Sequence, residues 1–241
     1  MTNPYLSAND HNRDIAGMTY VYPVLSRRAG GLSIGINLNP NNACNWRCIY
    51  CQVPDLTRGA PPAIDLPQLE RELRQQLEEV VHGDFLRRHL PEDSRRLSDI
   101  AFSGNGEPTS AREFPQAIAI VEQVLRDFDL LGKVPLRLIT NGSLVDRPGV
   151  LDAIANLGRC HGEVWFKVDG ATSAAIARIN DVQLNPHSIV ERLRHCASAC
   201  PTWVQTCMFA LDGAPPSNAE LDAYLDLLAQ VADDIAGVHL Y

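Results

Sequence analysis

Short β-type segments alternate with helical segments along most of the chain, and this alternation is the feature that most constrains the fold. It predicts βα units that are joined by right-handed crossovers into a parallel sheet. Six units are too few for a closed eight-fold barrel of about 250 residues. The predicted fold class is therefore α/β, as an open (β/α)6 partial TIM barrel. The six predicted strands are Leu32–Leu38, Ile100–Ser103, Leu136–Thr140, Val164–Asp169, Trp203–Phe209 and Val238–Tyr241.

Capping signals locate two of the helices. Asp65 precedes an apolar stripe of helical period and has Gln68 three residues later, which predicts an N-cap. Ser217 and Glu220 form the pattern of a capping box ahead of another helix. We expect residues 1–30 to form an N-terminal extension and residues 31–241 to form one partial-barrel domain.

Charge and apolar content exclude several function classes. The formal net charge is −8, which argues against broad nucleic-acid binding. No apolar run approaches the roughly 20 residues that span a bilayer. The polar segment from Met1 to Asp14 lacks the pattern of a secretory signal. We therefore expect a cytoplasmic protein without a membrane partner.

Three of the seven cysteines are bunched directly after the first predicted strand. Cys44, Cys48 and Cys51 are spaced so that their thiolates can wrap three corners of an iron–sulfur cubane. The fourth iron would then lack a protein ligand and could bind a small molecule. The alternatives are a zinc site or chance, but structural zinc usually takes four ligands as two separated pairs. Here a fourth ligand would have to come from a distant His or Cys.

This C-x3-C-x2-C spacing, with the aromatic Tyr50 before the last cysteine, resembles the radical S-adenosylmethionine (SAM) superfamily. Further motifs resemble its wyosine-type branch of Fe–S oxidoreductases, and together they cover about Tyr20 to Asp169. Nothing distinctive of a tRNA-binding extension is present, so the branch does not imply a tRNA substrate. The motifs lie at residues 21–28, 31–37, 48–52, 103–109, 140–142 and 165–169.

The resemblance implies an enzyme with two cofactors, a [4Fe–4S] cluster and SAM. In the superfamily, the open iron chelates the amino and carboxylate groups of SAM. Electron transfer cleaves SAM to methionine and a 5′-deoxyadenosyl radical, which abstracts a hydrogen atom. The implied partners are an unidentified small-molecule or peptide substrate and an electron donor of flavodoxin or ferredoxin type. Two alternatives stay open: a glycyl-radical-enzyme activase with a large protein partner, and a non-catalytic Fe–S redox or sensor protein that never binds SAM.

The resemblance also implies roles for residues near the cysteines. Tyr50 should lie near the adenine of SAM. Asn105, Gly106 and Glu107 match the superfamily's Gly-Gly-Glu-Pro region, which contacts the methionyl amino group. Here Asn105 and Gly106 stand where two glycines are common. The alternative is an ordinary turn at the end of a strand.

The fourth predicted strand points charged side chains into the barrel. Its alternation sets Glu163, Trp165, Lys167 and Asp169 on one face. Buried charges must pair or meet a polar ligand. Related enzymes use this strand for contacts to the SAM carboxylate or ribose, and a structural pair between Lys167 and Asp169 is the alternative.

The other predicted strand ends supply further candidates. Asn141 and Ser143 are candidate SAM or substrate contacts, although turn residues of these types are common. Gln205 is a candidate contact to ribose or substrate. His239 and Tyr241 share a face of the last strand and either line the pocket or fill it.

The remaining cysteines allow two interpretations. Cys196, Cys200 and Cys207 are close enough in sequence for an auxiliary cluster to be conceivable. However, Cys196 continues an apolar helical stripe and Cys200 precedes Pro201, so burial as small apolar residues is favoured.

Overall fold

The protein is an open barrel built on one seven-stranded sheet. A computed structural model describes Leu6, residues 17–26 and residues 30–241. Arg27 and Arg28, which belong to one of the motifs above, lie outside these residues, as does most of the segment from Met1 to Asp14. The sheet order is β1-β2-β5-β6-β7-β8-β9, in which β1 is antiparallel to β2 and the others are parallel. The six parallel strands confirm the predicted (β/α)6 partial barrel.

The strands lie close to the predicted runs, but three of the parallel strands end two or three residues earlier than those runs. The affected residues leave the sheet at its carboxyl edge and form the loops of that edge. The strands are β1 Val21–Ser26, β2 Gly31–Ile36, β3 Ala43–Cys44, β4 Thr57–Arg58, β5 Leu97–Phe102, β6 Leu136–Thr140, β7 Glu163–Lys167, β8 Thr202–Thr206 and β9 Gly237–Leu240.

Both predicted helix starts are present. The Asp65 side chain accepts a hydrogen bond from the Gln68 amide, and Ser217 and Glu220 form a reciprocal capping box. The helices are α1 Leu66–Val81, α2 Phe85–His89, α3 Phe114–Asp127, α4 Val150–Arg159, α5 Ser173–Asn180, α6 Pro186–Ala199 and α7 Asn218–Ala229. Helices α1, α3, α4 and α6 pack side by side against the sheet.

Several elements near the site were not predicted, among them β1, the β3–β4 pair and α5. Strand β1 joins the sheet through a register that runs from Val21 opposite Ile36 to Ser26 opposite Gly31. Helix α5 begins at a Thr172 N-cap, whose hydroxyl accepts the Ala175 amide. No helix within the described ranges has both the length and the apolar character needed to cross a bilayer.

Candidate functional site

A cavity of about 950 Å³ fills the barrel from the cysteine loop to the start of the strands. Ligand sites of parallel α/β barrels gather at the carboxyl ends of the strands, and the cysteines lie at that end. Ten of the predicted site residues line this one cavity: Cys44, Cys48, Tyr50, Cys51, Asn105, Gly106, Glu107, Asn141, Lys167 and Gln205. Asp169 is the exception, because its side chain is completely buried beside the cavity.

Two elements hold the cysteine loop. At its start, Cys44 pairs with Arg58 in the short β3–β4 ladder. At its centre, the backbone amides of Arg47 and Ile49 donate to the carbonyls of Asn180 and Ile179, at 3.2 and 2.9 Å. The last turn of α5 therefore supports the cysteine loop. The last carbonyls of a helix have no partner within the helix, and here two of them accept hydrogen bonds from the loop amides.

The three loop thiols differ in their surroundings. Burial raises the pKa of the Cys44 thiol to about 11, opposed by a hydrogen bond from the Trp46 amide. Burial also raises the pKa of Cys48, opposed by the Asn180 amide. Cys51 is exposed.

The donor set fits a cubane with one open iron. Three corners of such a cluster belong to three different irons, and each takes one cysteine thiolate. Cys44, Cys48 and Cys51 lie on one loop and line one cavity.

The loop after β5 packs tightly against the cysteine loop. A Cβ atom on Gly106 would stand 2.2 Å from the Ala43 carbonyl oxygen and 2.7 Å from the Asn39 side chain. Asn105 donates from its side chain to the Asn42 side-chain oxygen at 2.6 Å. This loop therefore supports the loop that carries Cys44.

Glu107 ties the same loop to the end of β6. Its carboxylate is buried and accepts hydrogen bonds from the Thr109 amide and hydroxyl, the Thr140 hydroxyl and the Asn141 amide. Burial raises the pKa of Glu107, and these four donors oppose that rise. The carboxylate thus joins two strand ends around the cavity.

Asp169 is the centre of a buried network rather than part of the cavity wall. It lies two residues beyond the end of β7. Its carboxylate accepts from the Tyr50 hydroxyl, from the Asn180 side-chain amide at 3.0 Å and from the Cys207 backbone amide at 3.0 Å. Lys167 lies 3.7 Å from it. This arrangement favours the structural pair over a direct contact to SAM.

Lys167 lies between two tyrosines. Its ammonium donates to the Tyr241 hydroxyl at 2.6 Å and stands 4.9 Å from the centre of the Tyr50 ring. Burial alone would lower the pKa of Lys167, but Asp169 and Tyr241 outweigh it and the pKa is raised. Lys167 is therefore a fixed positive charge at the cavity wall.

Gln205 presents a buried acceptor to the same cavity. Only 2% of the residue is exposed, and no described donor reaches its Oε1 atom. A buried carbonyl without a partner costs about 1–3 kcal/mol, so the position suits a ligand that donates a hydrogen bond.

The inner end of the cavity carries an ion network. Arg137 donates from Nε to Glu163 at 2.6 Å and from Nη1 to Asp99, and its guanidinium lies 4.7 Å from the centre of the Trp165 ring. Asp99 also accepts from the Ser33 hydroxyl. His239, which could have lined the pocket or filled it, stacks on Trp203 at 4.6 Å and packs near Trp165.

The other cysteines do not gather into a second site among the described residues. Cys196 and Cys200 are buried in the apolar core, and Cys200 donates to the Gly162 carbonyl. Cys207 lies apart from them and lines the cavity. The geometry therefore favours the core interpretation of Cys196 and Cys200.

Two contributing residues were missed from the sequence. Asn180 contacts Cys48 and Asp169, and an unrecognised helix carries it. Asn45 lies inside the cysteine motif, and it accepts from the Asn141 side chain at 2.9 Å and donates to Ser143 at 2.7 Å. The spacing between the cysteines gave no reason to single out Asn45.

Comparison with known proteins gives two partial relatives. The chain is 29% identical over 126 residues to a protein named GTPase Obg of Brachyspira hyodysenteriae, covering 51% of this chain and 15% of that protein. It is 30% identical over 158 residues to the UPF0026 protein MJ1312 of Methanocaldococcus jannaschii, covering 66% of this chain and 42% of that protein. The chain thus spans less than half the length of these curated relatives.

Solved structures share the fold at low sequence identity. SuiB of Streptococcus suis, bound to S-adenosylmethionine, has a TM-score of 0.55 and 13% identity over 89% of this chain and 40% of that chain. TYW1 with a lysine–pyruvate adduct bound has a TM-score of 0.57 and 17% identity over 87% of this chain and 64% of that chain. At these identities the likeness shows a shared fold.

The family match covers the cysteine loop and most of the barrel. The sequence model of the Radical SAM superfamily matches residues 38–228, which contain all elements from β3 to β8, nearly all of α7 and the three loop cysteines. The predicted membership of the radical SAM superfamily is thereby confirmed. The chain belongs to the radical SAM superfamily, whose enzymes use a [4Fe–4S] cluster and S-adenosylmethionine as cofactors.

Proposed function

We propose that this protein reductively cleaves SAM and directs the resulting 5′-deoxyadenosyl radical to a substrate held in the barrel. The observation that carries the proposal is that Cys44, Cys48 and Cys51 line the same cavity as Lys167 and Gln205. When bound, a [4Fe–4S] cluster with one open iron would supply the site for SAM and the electron that cleaves it. The three thiols would hold that cluster.

The cavity walls would orient SAM and exclude water. Lys167 supplies a fixed positive charge suited to a carboxylate. The free Oε1 of Gln205 suits a hydroxyl donor such as a ribose hydroxyl. Tyr50, packed edge-on against Phe209 at 5.9 Å, offers an aromatic surface for the adenine. The loop of Asn105 and Gly106 offers backbone groups to the methionyl end.

Space for the substrate lies between the cysteine end of the cavity and the ion network of Arg137. The substrate, a small molecule or a peptide, belongs to the proposal, and so does an electron donor of flavodoxin or ferredoxin type. We also propose that the protein works in the cytoplasm, where seven free cysteines would stay reduced.

The test is cleavage of SAM by the reconstituted protein. After anaerobic cluster assembly, the protein is incubated with SAM and a strong reductant, and 5′-deoxyadenosine is measured by chromatography. We expect nucleoside from the wild type and none from Cys48→Ser. Cys160→Ser, which changes a buried cysteine outside the loop, is the matched control and should stay active. A full cluster without nucleoside or spectroscopic response to SAM would favour the redox or sensor alternative.

A further inference from the structure

The end of α5 contacts the cysteine loop with a side chain as well as with its carbonyls. Asn180 is 1% exposed, and its Nδ2 atom lies 3.2 Å from Cys48 Sγ and 3.0 Å from Asp169 Oδ2. Its backbone carbonyl accepts the Arg47 amide. One residue therefore contacts the loop backbone, a loop sulfur and the buried carboxylate at the end of β7.

The chemistry of the two partners fixes the direction of these hydrogen bonds. An ionised carboxylate can only accept, and a thiolate sulfur that binds iron also only accepts. The amide nitrogen of Asn180 must therefore face both of them, and each of its two hydrogens has one partner. This donor belongs to a side chain, unlike the Trp46 amide that donates to Cys44, so substitution can remove it.

A donor to a ligand sulfur acts on the cluster's redox equilibrium. Reduction adds negative charge to the cluster and its thiolates, and a buried N–H dipole aimed at a sulfur stabilises that charge more than it stabilises the oxidised form. The carbonyls at the end of α5 and the Asp169 carboxylate carry negative charge or partial charge, so they disfavour reduction of the cluster. Asn180 is a neutral donor between these negative groups and Cys48. The Tyr50 hydroxyl and the Lys167 ammonium also favour negative charge on that sulfur.

We propose that Asn180 is a positioning residue that fixes Cys48 and raises the reduction potential of the cluster through its hydrogen bond to the sulfur. The inference rests on the proposed function, because it assumes a cluster on Cys48. Ligand-orienting partners of this kind commonly change metal-site properties when they are removed.

The test is a potentiometric titration of the reconstituted cluster, followed by electron paramagnetic resonance. Asn180→Leu removes the donor at similar volume. We expect full iron and sulfide content but about a tenfold lower ratio of reduced to oxidised cluster at the wild-type midpoint potential, which corresponds to a fall in the midpoint of about 59 mV for a one-electron couple. Asn180→Asp, nearly identical in shape, should lower the midpoint at least as far and serves if the leucine variant does not assemble.

The matched control is Thr172→Val. Thr172 caps the start of the same helix, where its hydroxyl accepts the Ala175 amide at 3.1 Å, and the substitution changes no charge. Its midpoint should equal that of the wild type. An unchanged midpoint in a fully loaded Asn180 variant, or an equal fall in Thr172→Val, would overturn the inference. A wild type that holds a cluster but forms no nucleoside would instead overturn the proposed enzyme activity and leave the comparison of midpoints valid.

Discussion

Replacing Arg137 with methionine would break the ion network at the inner end of the barrel. The guanidinium binds Asp99 and Glu163, and its side chain is 16% exposed. Methionine retains much of the apolar volume but no charge. The Asp99 carboxylate, 4% exposed, would keep the Ser33 hydroxyl as its hydrogen-bond donor and lose its counter-charge.

The expected cost follows from the burial of the two carboxylates. Breaking a buried ion pair from one side costs about 3–5 kcal/mol, because the remaining charge stays uncompensated. Glu163 is 24% exposed and keeps the Trp165 indole as a donor. Losing its pair with Arg137 should therefore cost at most about 1 kcal/mol, as for a partly solvated ion pair. We expect Arg137→Met to lower the free energy of unfolding by about 3–4 kcal/mol, mostly through Asp99.

Urea unfolding of the iron-free protein, followed by circular dichroism, measures this loss. With a urea m-value near 3 kcal/mol/M, the midpoint should fall by about 1 M. Adding Asp99→Asn should restore at least half of the loss, because it removes the uncompensated charge. The control Arg126→Met removes an exposed helical pair with Glu122 and should cost less than about 0.5 kcal/mol. A fall no larger than this control, or no recovery in the double variant, would refute the reasoning.

Three further predictions concern other parts of the molecule. Gly106→Ala should reduce iron content after reconstitution, because its Cβ would displace Ala43 and Asn39. Gly59→Ala should not, because its Cβ would lie 3.7 Å from the nearest atom, and equal iron content in the two variants would contradict the packing argument. Glu107→Gln should lower stability in thermal unfolding by about 1–3 kcal/mol, since an NH2 group would face the Asn141 amide; wild-type stability would show that this contact is dispensable. The hydrogen bond from Arg192 lowers the pKa of Asp146, so the pair stabilises the fold above about pH 4 and loses this effect as the pH falls. In Asp146→Asn the free energy of unfolding should therefore fall less steeply at acid pH, by an amount below about 1 kcal/mol. An acid-pH dependence equal to that of the wild type would argue against this role of the pair.

The alternation of strands and helices was sufficient to predict the six parallel strands. Five of the six parallel strands place apolar side chains in the core, and such runs are visible in sequence. The sixth, β9, leaves Val238 and Leu240 exposed. Strand β1 could not be found in this way, because its pairing with β2 depends on contacts made in the folded sheet. Helix α5 is only eight residues long, too short for its periodicity to stand out.

The candidate site was predictable where one motif carries the chemistry. The cysteine spacing and the strand-end positions of Lys167 and Gln205 were sufficient to assign them to one cavity. Asp169 shows the limit of this reasoning, because strand alternation gives the face of a side chain but not the position where the strand ends. Asn180 joins the site from a helix 132 residues away from Cys48, and no local pattern encodes such a contact.

The support of the cysteine loop by α5 has a consequence for biosynthesis. The side chains that fix Tyr50 and Cys48 follow them by 119 and 132 residues. At about 5–20 residues per second, a ribosome needs roughly 7–26 s to make the longer segment. Throughout that interval the nascent thiols lack their supporting helix. A chain that stalls before Asn180 would therefore present Cys44, Cys48 and Cys51 without the contacts that support their loop in the folded protein.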